Sequence, residues 1–350
     1  MKYCSILLLL VIIVGITFRP SLLLENTYAI NSDPLPSWIQ GKVKQTIINF
    51  VRNITDPSNA NYVPPDKRIA TFDNDGTLWS EKPLYFQAYF AFDRVPDVVA
   101  KNPELKDRSP FKEILEKNFT ALRNMTEKDV MKLVSTTHSN ISQTEFDSLV
   151  HQWAQTARHP ETKRLFVGMV YQPMLELLSF LKANQFKEFI VSGGGIDFIR
   201  DALSSVYGIA PDQIIGSSLK YQFVDKINNT NLQLNNNNNK SFILREPVLV
   251  SFDNDYEKPV NIQLHIGQIP IMAVGNSDGD LQMLEYVNDN NIYRKSLLLL
   301  VHHDDPEREY KYDKGAEKVL VTAKQNKNWT IVSMKEDFKS IYPPGNTTKQ

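Results

Sequence analysis

The sequence predicts an α/β protein: a largely parallel sheet with flanking helices and a mainly helical segment inserted after its first strand. Three observations lead there. Short apolar runs at Arg68–Phe72, Glu188–Val191, Pro270–Val274 and Leu297–Val301 are separated by stretches of helical period. Each run stops at a polar cluster: Asp73-Asn-Asp75, Ser192-Gly-Gly-Gly195, Gly275-Asn-Ser-Asp-Gly-Asp280 and His302-His-Asp-Asp305. Residues 80–164, which follow the first run, carry no strong strand signal. In open parallel sheets ligands bind beyond the carboxyl ends of the strands, so the four clusters can share one crevice and residues 80–164 can cap it.

The chain opens on a different kind of sequence. Met1-Lys2 precedes an apolar run from Ile6 to Phe18 that ends at Arg19-Pro20. A spanning helix needs roughly 20 apolar residues, so residues 1–29 read as a secretory signal, with Thr27-Tyr28-Ala29 as a small-x-small cleavage pattern. The alternative is an uncleaved membrane anchor lengthened by Leu22-Leu23-Leu24. The only cysteine, Cys4, lies in this leader, so no disulfide framework is expected in the rest of the chain. Eight sequons, at Asn53, Asn118, Asn124, Asn140, Asn228, Asn239, Asn328 and Asn346, fit an exported, glycosylated protein, although an Asn-rich chain also produces such triplets by chance.

Ile39, Val43, Ile47, Val51 and Ile54 recur at helical spacing, and three prolines in Asp56–Lys67 make the next stretch a loop. The first strand, Arg68–Phe72, stops at Asp73. Residues 80–164 read as several helices. Thr126-Glu-Lys-Asp129 forms a capping box, and the last of these helices ends near His159-Pro160. Tyr85, Phe86, Tyr89, Phe90 and Phe92 supply hinge and cap packing, and Trp79 can wall the way in. Met174–Leu181 and Asp197–Val206 are helical. Residues 215–250 alternate as a β-ribbon around an Asn-rich tip, Asn235–Asn239. The domain reading is therefore a core of 30–79 and 165–350, with a cap of 80–164.

With a formal charge of -1 and scattered basic residues, the chain lacks the electrostatic footprint of a nucleic-acid binder. His138, His151, His159 and His265 are too dispersed for zinc-ligand spacing. Asp73 and Asp75 stand two apart after a strand, so in extended backbone both side chains lie on one side. Paired carboxylates of this kind hold a hard cation such as Mg2+, and an Asp-x-Asp pair also serves glycosyltransferases that bind nucleotide sugars.

Phe72-Asp73-Asn74-Asp75-Gly76-Thr77-Leu78 resembles the first motif of the haloacid dehalogenase superfamily in the form its phosphatases use. Ile190-Val191-Ser192-Gly193-Gly194 is similar to the second motif, Lys258 stands where the third places a lysine, and Gly275-Asn-Ser-Asp-Gly-Asp-Leu281 is similar to the fourth. The phosphoserine-phosphatase-like branch, with a helical cap at this insertion point, is the nearest flavour. The resemblance implies a Rossmann-like core and a Mg2+-dependent phosphomonoesterase acting on a small phosphorylated metabolite. Asp73 is then the nucleophile and Asp75 the general acid and base. Ser192 and the Gly193 amide hold phosphoryl oxygens, and Lys258 offsets charge on the transferring group. The fourth motif departs from its usual form, because Asn276 stands where a metal-binding Asp is expected. That leaves Asp73, Asp75, Asn276, Asp278 and Asp280 as metal-ligand candidates, with Asp278 and Asp280 as helix caps in the alternative. A catalytically idle binding protein on the same fold is the reading that Asn276 motivates. Glu81, Trp79, His302 and His303 are candidates for substrate selectivity, and Phe252-Asp-Asn-Asp255, which repeats Phe72-Asp-Asn-Asp75, reads as a loop before Lys258.

Overall fold

The computed structural model describes residues 33–118, 125–225 and 240–344. The predicted leader 1–29, the ribbon tip Asn235–Asn239, and the sequons at Asn124, Asn228, Asn239 and Asn346 lie outside them. Among the described residues no helix is long and apolar enough to cross a membrane.

Seven strands, β1 (Ile69–Phe72), β2 (Lys187–Gly195), β3 (Ile214–Val224), β4 (Phe242–Ser251), β5 (Met272–Gly275), β6 (Leu297–His302) and β7 (Trp329–Ser333), form one sheet in the order β4-β3-β2-β1-β5-β6-β7. Every pairing is parallel except β3 with β4. The α/β expectation holds. β1 is central, and the chain winds first to one side of it and then to the other, which makes the carboxyl end of β1 the topological switch point.

The flanking helices are α1 (Lys42–Thr55), α2 (Phe86–Lys101), α3 (Phe111–Leu115), α4 (Glu127–Thr137), α5 (Gln143–Thr156), α6 (Gln172–Ala183), α7 (Ile196–Tyr207), α8 (Glu257–His265), α9 (Leu281–Asn290), α10 (Glu317–Gln325) and α11 (Met334–Asp337). A strand buried on both faces must be apolar at consecutive positions, and β6 shows why. Leu297, Leu299 and Val301 join the layer that holds Ile47, Leu177 and Leu203, while Leu298 and Leu300 join the layer of Met283, Val287 and Val319.

α2 to α5 fill the insertion between β1 and residue 164. Thr126 and Asp129 make the reciprocal capping box that starts α4. α5 ends at Thr156 rather than at His159, because Ala157 is already extended. The insertion packs on α7 through aromatic side chains: Phe90 lies 5.4 Å and Trp153 5.5 Å, centroid to centroid, from Phe198. The ribbon grips it from the other side. Asn140 N–H donates to the Arg245 carbonyl at 2.8 Å, and Arg245 N–H to the Ile141 carbonyl at 3.1 Å. β7 was not visible in the sequence, because five residues after Asn326-Lys-Asn328 give too short and too polar a signal at the sheet edge.

Candidate active site

The first motif is held by the sheet itself. Asp73 N–H donates to the Val274 carbonyl at 2.9 Å, so the ladder with β5 reaches one residue past β1. The chain then folds on itself: the Asn74 carbonyl accepts the amides of Thr77 and Leu78, and Gly76 N–H donates to the Trp79 carbonyl at 2.8 Å. Gly76 sits at φ +79°, and a Cβ there would fall 2.1 Å from the Asn276 amide, so only glycine fits.

Below Asp73, Lys258 is 1% exposed and makes three bonds through Nζ: to Asp73 Oδ1 at 2.7 Å, Asp280 Oδ1 at 2.6 Å and the Val191 carbonyl at 2.8 Å. An ammonium has three donors. All are used within the protein, so Lys258 stands here as a buried counter-charge and anchor of Asp73 and Asp280, and the expectation that it also binds substrate phosphate finds no spare donor on Nζ. Burial alone would lower its pKa, but the carboxylates of Asp280, Asp73 and Asp253 raise it above the ordinary lysine value. Asp280 is buried too, and its other oxygen accepts the amides of Asn276 and Ser277, each at 2.9 Å. It is a structural hub that holds the lysine and the fourth-motif turn together.

Burial pushes the Asp73 carboxyl well up, and Asp280 beside it adds to the rise while Lys258 opposes it. Burial likewise pushes Asp75 up to about 6, against the indole bond from Trp79 and with the Glu81 charge adding to the rise. A carboxyl with that pKa can carry a proton near neutral pH and give it up during reaction.

The donor set for Mg2+ can be tested on the side chain of Asn276. The end of its amide lies 3.1 Å from the Asp75 carbonyl oxygen, 3.3 Å from Asp73 Oδ2 and 3.1 Å from Thr77 Oγ1. Neighbouring ligands of an octahedral Mg2+ stand roughly 3 Å apart, given metal–oxygen distances of about 2.0–2.1 Å. With its oxygen on this side, Asn276 completes three converging oxygens in a neighbourhood where acids outnumber Lys258. The residues fit the cation. With its amide turned, Asn276 would instead donate to those same oxygens. Among the described residues no cluster of three His, Cys, Asp or Glu side chains stands at ligating spacing, so the set depends on this amide and a main-chain carbonyl.

The other candidates separate. Asp278 turns to a later helix than the one that follows it: its Oδ1 accepts the Val319 amide at 2.8 Å, at the start of α10 rather than α9. Trp79 does not wall the way in. It is 1% exposed and donates through Nε1 to Asp75 Oδ1 at 2.9 Å. His303 is buried, with Nε2 2.8 Å from the Gly76 carbonyl and Nδ1 3.3 Å from Glu309, so it braces the back of the first-motif turn rather than meeting substrate. His302 pairs with Asp313 at 2.8 Å outside the crevice. Glu81 does line the cavity above Asp73 and lies 3.3 Å from Lys82.

Ser192 is fully buried and accepts the Gly194 amide at 3.0 Å, while Gly193, Gly194 and Gly195 face the cavity. A Cβ on Gly194 would stand 3.3 Å from Ser192 Oγ and 3.4 Å from Asp75 Oδ2, filling the space between them. Four contributors were missed by sequence reasoning. Gln87 accepts the Gly195 amide at 2.8 Å. Arg245 lines the cavity while tied to the insertion. Asn254 and Asp255, in the second Phe-Asp-Asn-Asp copy, also form wall. In that copy Asp253 is fully buried and accepts from Asn261 at 2.8 Å. The repeat of letters was the available signal for this wall.

Strand order, the first, second and fourth motifs at the ends of β1, β2 and β5, and Lys258 at the start of α8 fit a haloacid dehalogenase-type fold. No protein-family model matches the sequence, and no curated relative does. Among solved structures, the chain is similar to a functionally unknown protein from Anaerococcus prevotii (14% identity, 86% of this chain and 94% of that one, TM-score 0.46). It is also similar to a phosphoserine phosphohydrolase-like protein from Francisella tularensis (15%, 75% and 94%, TM-score 0.36). A third is a cytosolic 5'-nucleotidase IIIB bound to cytidine (12%, 84% and 86%, TM-score 0.39). At such distance these likenesses add nothing to the chemistry, which is read from the residues of this chain.

Proposed function

We propose that the chain is a Mg2+-dependent phosphomonoesterase of the haloacid dehalogenase type, exported by its leader, that works through an aspartyl-phosphate on Asp73. The observation that carries this reading is the pairing at the switch point. Asp73 faces the cavity with one oxygen held by Lys258, and Asp75 stands beside it with burial favouring its protonated form.

The Asp73 carboxylate attacks phosphorus, forming an acyl phosphate as the bond to the ester oxygen breaks. Asp75 gives its proton to that departing oxygen. In the second half Asp75, now ionised, takes a proton from water as the water oxygen attacks the acyl phosphate. Inorganic phosphate leaves and both carboxyls return to their starting states. Gly193, Gly194 and Gly195 line the place where phosphoryl oxygens would rest, with Ser192 buried behind them holding the Gly194 amide. Mg2+, held by Asp73, the Asp75 carbonyl and Asn276, would offset charge on the phosphoryl group. A glycosyltransferase built on Asp73 and Asp75 would leave Ser192, Lys258 and the Asn276–Asp280 turn without a task.

One observation favours a second reading. With the Asn276 amide turned toward Asp73 Oδ2 and the Asp75 carbonyl, the oxygen cluster is satisfied by hydrogen bonds and the fold is an idle binding protein. Phosphate release from p-nitrophenyl phosphate by the full chain, with and without Mg2+, separates the two. Metal-dependent release supports the enzyme, and none under any condition supports the binding protein.

A further inference from the structure

We infer that the site takes phosphate monoesters of uncharged, apolar alcohols, alkyl or aryl; this rests on the phosphatase reading above and names its substrate class. The cavity over Asp73 and Asp75 measures about 690 Å3, within the range of roughly 300–1,000 Å3 typical of pockets that enclose drug-sized molecules. A phosphoryl group occupies only its floor. Something attached to the phosphate must occupy the rest, and the walls specify its chemistry.

Much of the wall is hydrocarbon. Ala88 and Phe92 stand four apart on α2 and Val130 and Val134 four apart on α4, so each helix turns an apolar stripe to the cavity. Leu219 and the more exposed Leu249 and Phe252 line the core side. A polyol laid against these stripes would leave hydroxyls without partners.

Charge on the lining points the same way. Its ionisable members are Asp73, Asp75, Glu81, Tyr85, His138, Arg245 and Asp255. Arg245 is the only guanidinium among them, and its charge is matched by the short ion pair from Nη1 to Asp197, while Nη1 also bonds Gln143 Oε1 at 2.6 Å and Nε the His138 carbonyl at 2.7 Å. His138 is held neutral, pushed down to about 3 by burial and by Arg245 and Arg94. A substrate carboxylate or second phosphate would therefore stand near Glu81 and Asp255 and meet only a guanidinium whose charge Asp197 already matches. Phosphoserine and bisphosphates are poor fits, and an uncharged hydrocarbon body is a good one.

The test is a chain-length series with the full-length protein and Mg2+. From methyl to decyl phosphate, kcat/KM should rise about three- to fourfold per methylene until the cavity is full. The aryl arm compares 1-naphthyl with phenyl phosphate, whose leaving groups are similarly acidic, and the larger ester should be favoured at least tenfold. Phosphoserine and glycerol phosphate should fall at least tenfold below propyl phosphate. Val134→Trp, which fills part of the cavity, should end the rise at a shorter chain. Decylphosphonate and methylphosphonate, which cannot be hydrolysed, give a calorimetric readout free of turnover, and the longer one should bind at least a hundredfold more tightly. A flat series, equal phosphonate affinities or a preference for phosphoserine would overturn the inference. Tight decylphosphonate binding with no ester hydrolysed would support the apolar cavity and overturn the phosphatase reading alone.

Discussion

The indole N–H of Trp79 donates to Oδ1 of Asp75 at 2.9 Å, from a side chain with almost no exposed surface. Burial raises the Asp75 pKa, and this bond, which favours the charged form, restrains the rise. Trp79→Phe removes the restraint, so Asp75 should keep its proton to higher pH. The alkaline limb of kcat/KM on an alkyl phosphate should move up, while Glu81→Gln, which removes a nearby negative charge, should move it down. Limbs that stay in place in both variants would remove Asp75 from the role of acid.

Lys258 saturates three acceptors in the interior. Lys258→Met should abolish turnover and cost about 3–5 kcal/mol of stability, because it leaves Asp73 and Asp280 buried without their cation. Urea unfolding at neutral pH measures this. A variant as stable as the parent would show that the triad carries no such strain.

Asn276 and Asp278 divide the fourth motif between metal and helix. Asn276→Asp sets a carboxylate against Asp73 Oδ2 and the Asp75 carbonyl. It should lower Tm without Mg2+ and enlarge the Mg2+-induced rise in Tm, since a ligand that binds only the native state stabilises it by mass action. Asp278→Ala should leave that rise unchanged and cost about 0.5–2 kcal/mol for the lost cap at Val319. Asp280→Ala should abolish activity and weaken the metal response by freeing Lys258 and the turn. A Mg2+ response lost in Asp278→Ala but kept in Asp280→Ala would reverse these assignments.

Glu188, on β2, is almost fully buried with Oε1 unpartnered, and burial pushes it up to about 7 from an ordinary 4.5. The folded state thus holds a proton that the unfolded chain has released. The stability linked to this group is fully present below about pH 4.5 and is lost as pH rises through 7. Unfolding free energies at pH 5 and pH 8 should show the parent losing on the order of 1–3 kcal/mol that Glu188→Gln retains. Equal losses in both proteins would assign the pH dependence elsewhere.

Much of this was legible because it is local. Apolar runs ending at Asp73, Ser192, Gly275 and His302 placed four strand ends on one edge of a parallel sheet, and the spacing from Asp73 to Asp75 placed two carboxyls together. What was not legible depends on partners far along the chain. Trp79 reads as a surface aromatic until the fold turns its indole onto Asp75. His303 reads as a substrate ligand until Gly76 and Glu309 close around it. Lys258 was found as a letter, but that its three protons are all committed, one of them to Asp73 from 185 positions away, is a property of packing. Arg245 and Gln87 carry no motif at all and reach the site only because ribbon and insertion meet over it.

The central claim is a covalent phosphoryl group on Asp73. The direct measurement is acid quench of the full chain during turnover of a radiolabelled phosphate ester, followed by peptide mapping. Label is expected on the peptide containing Asp73, absent in Asp73→Asn, with that variant folded and inactive. Label on Asp253 instead, or turnover by Asp73→Asn close to that of the parent, would contradict it.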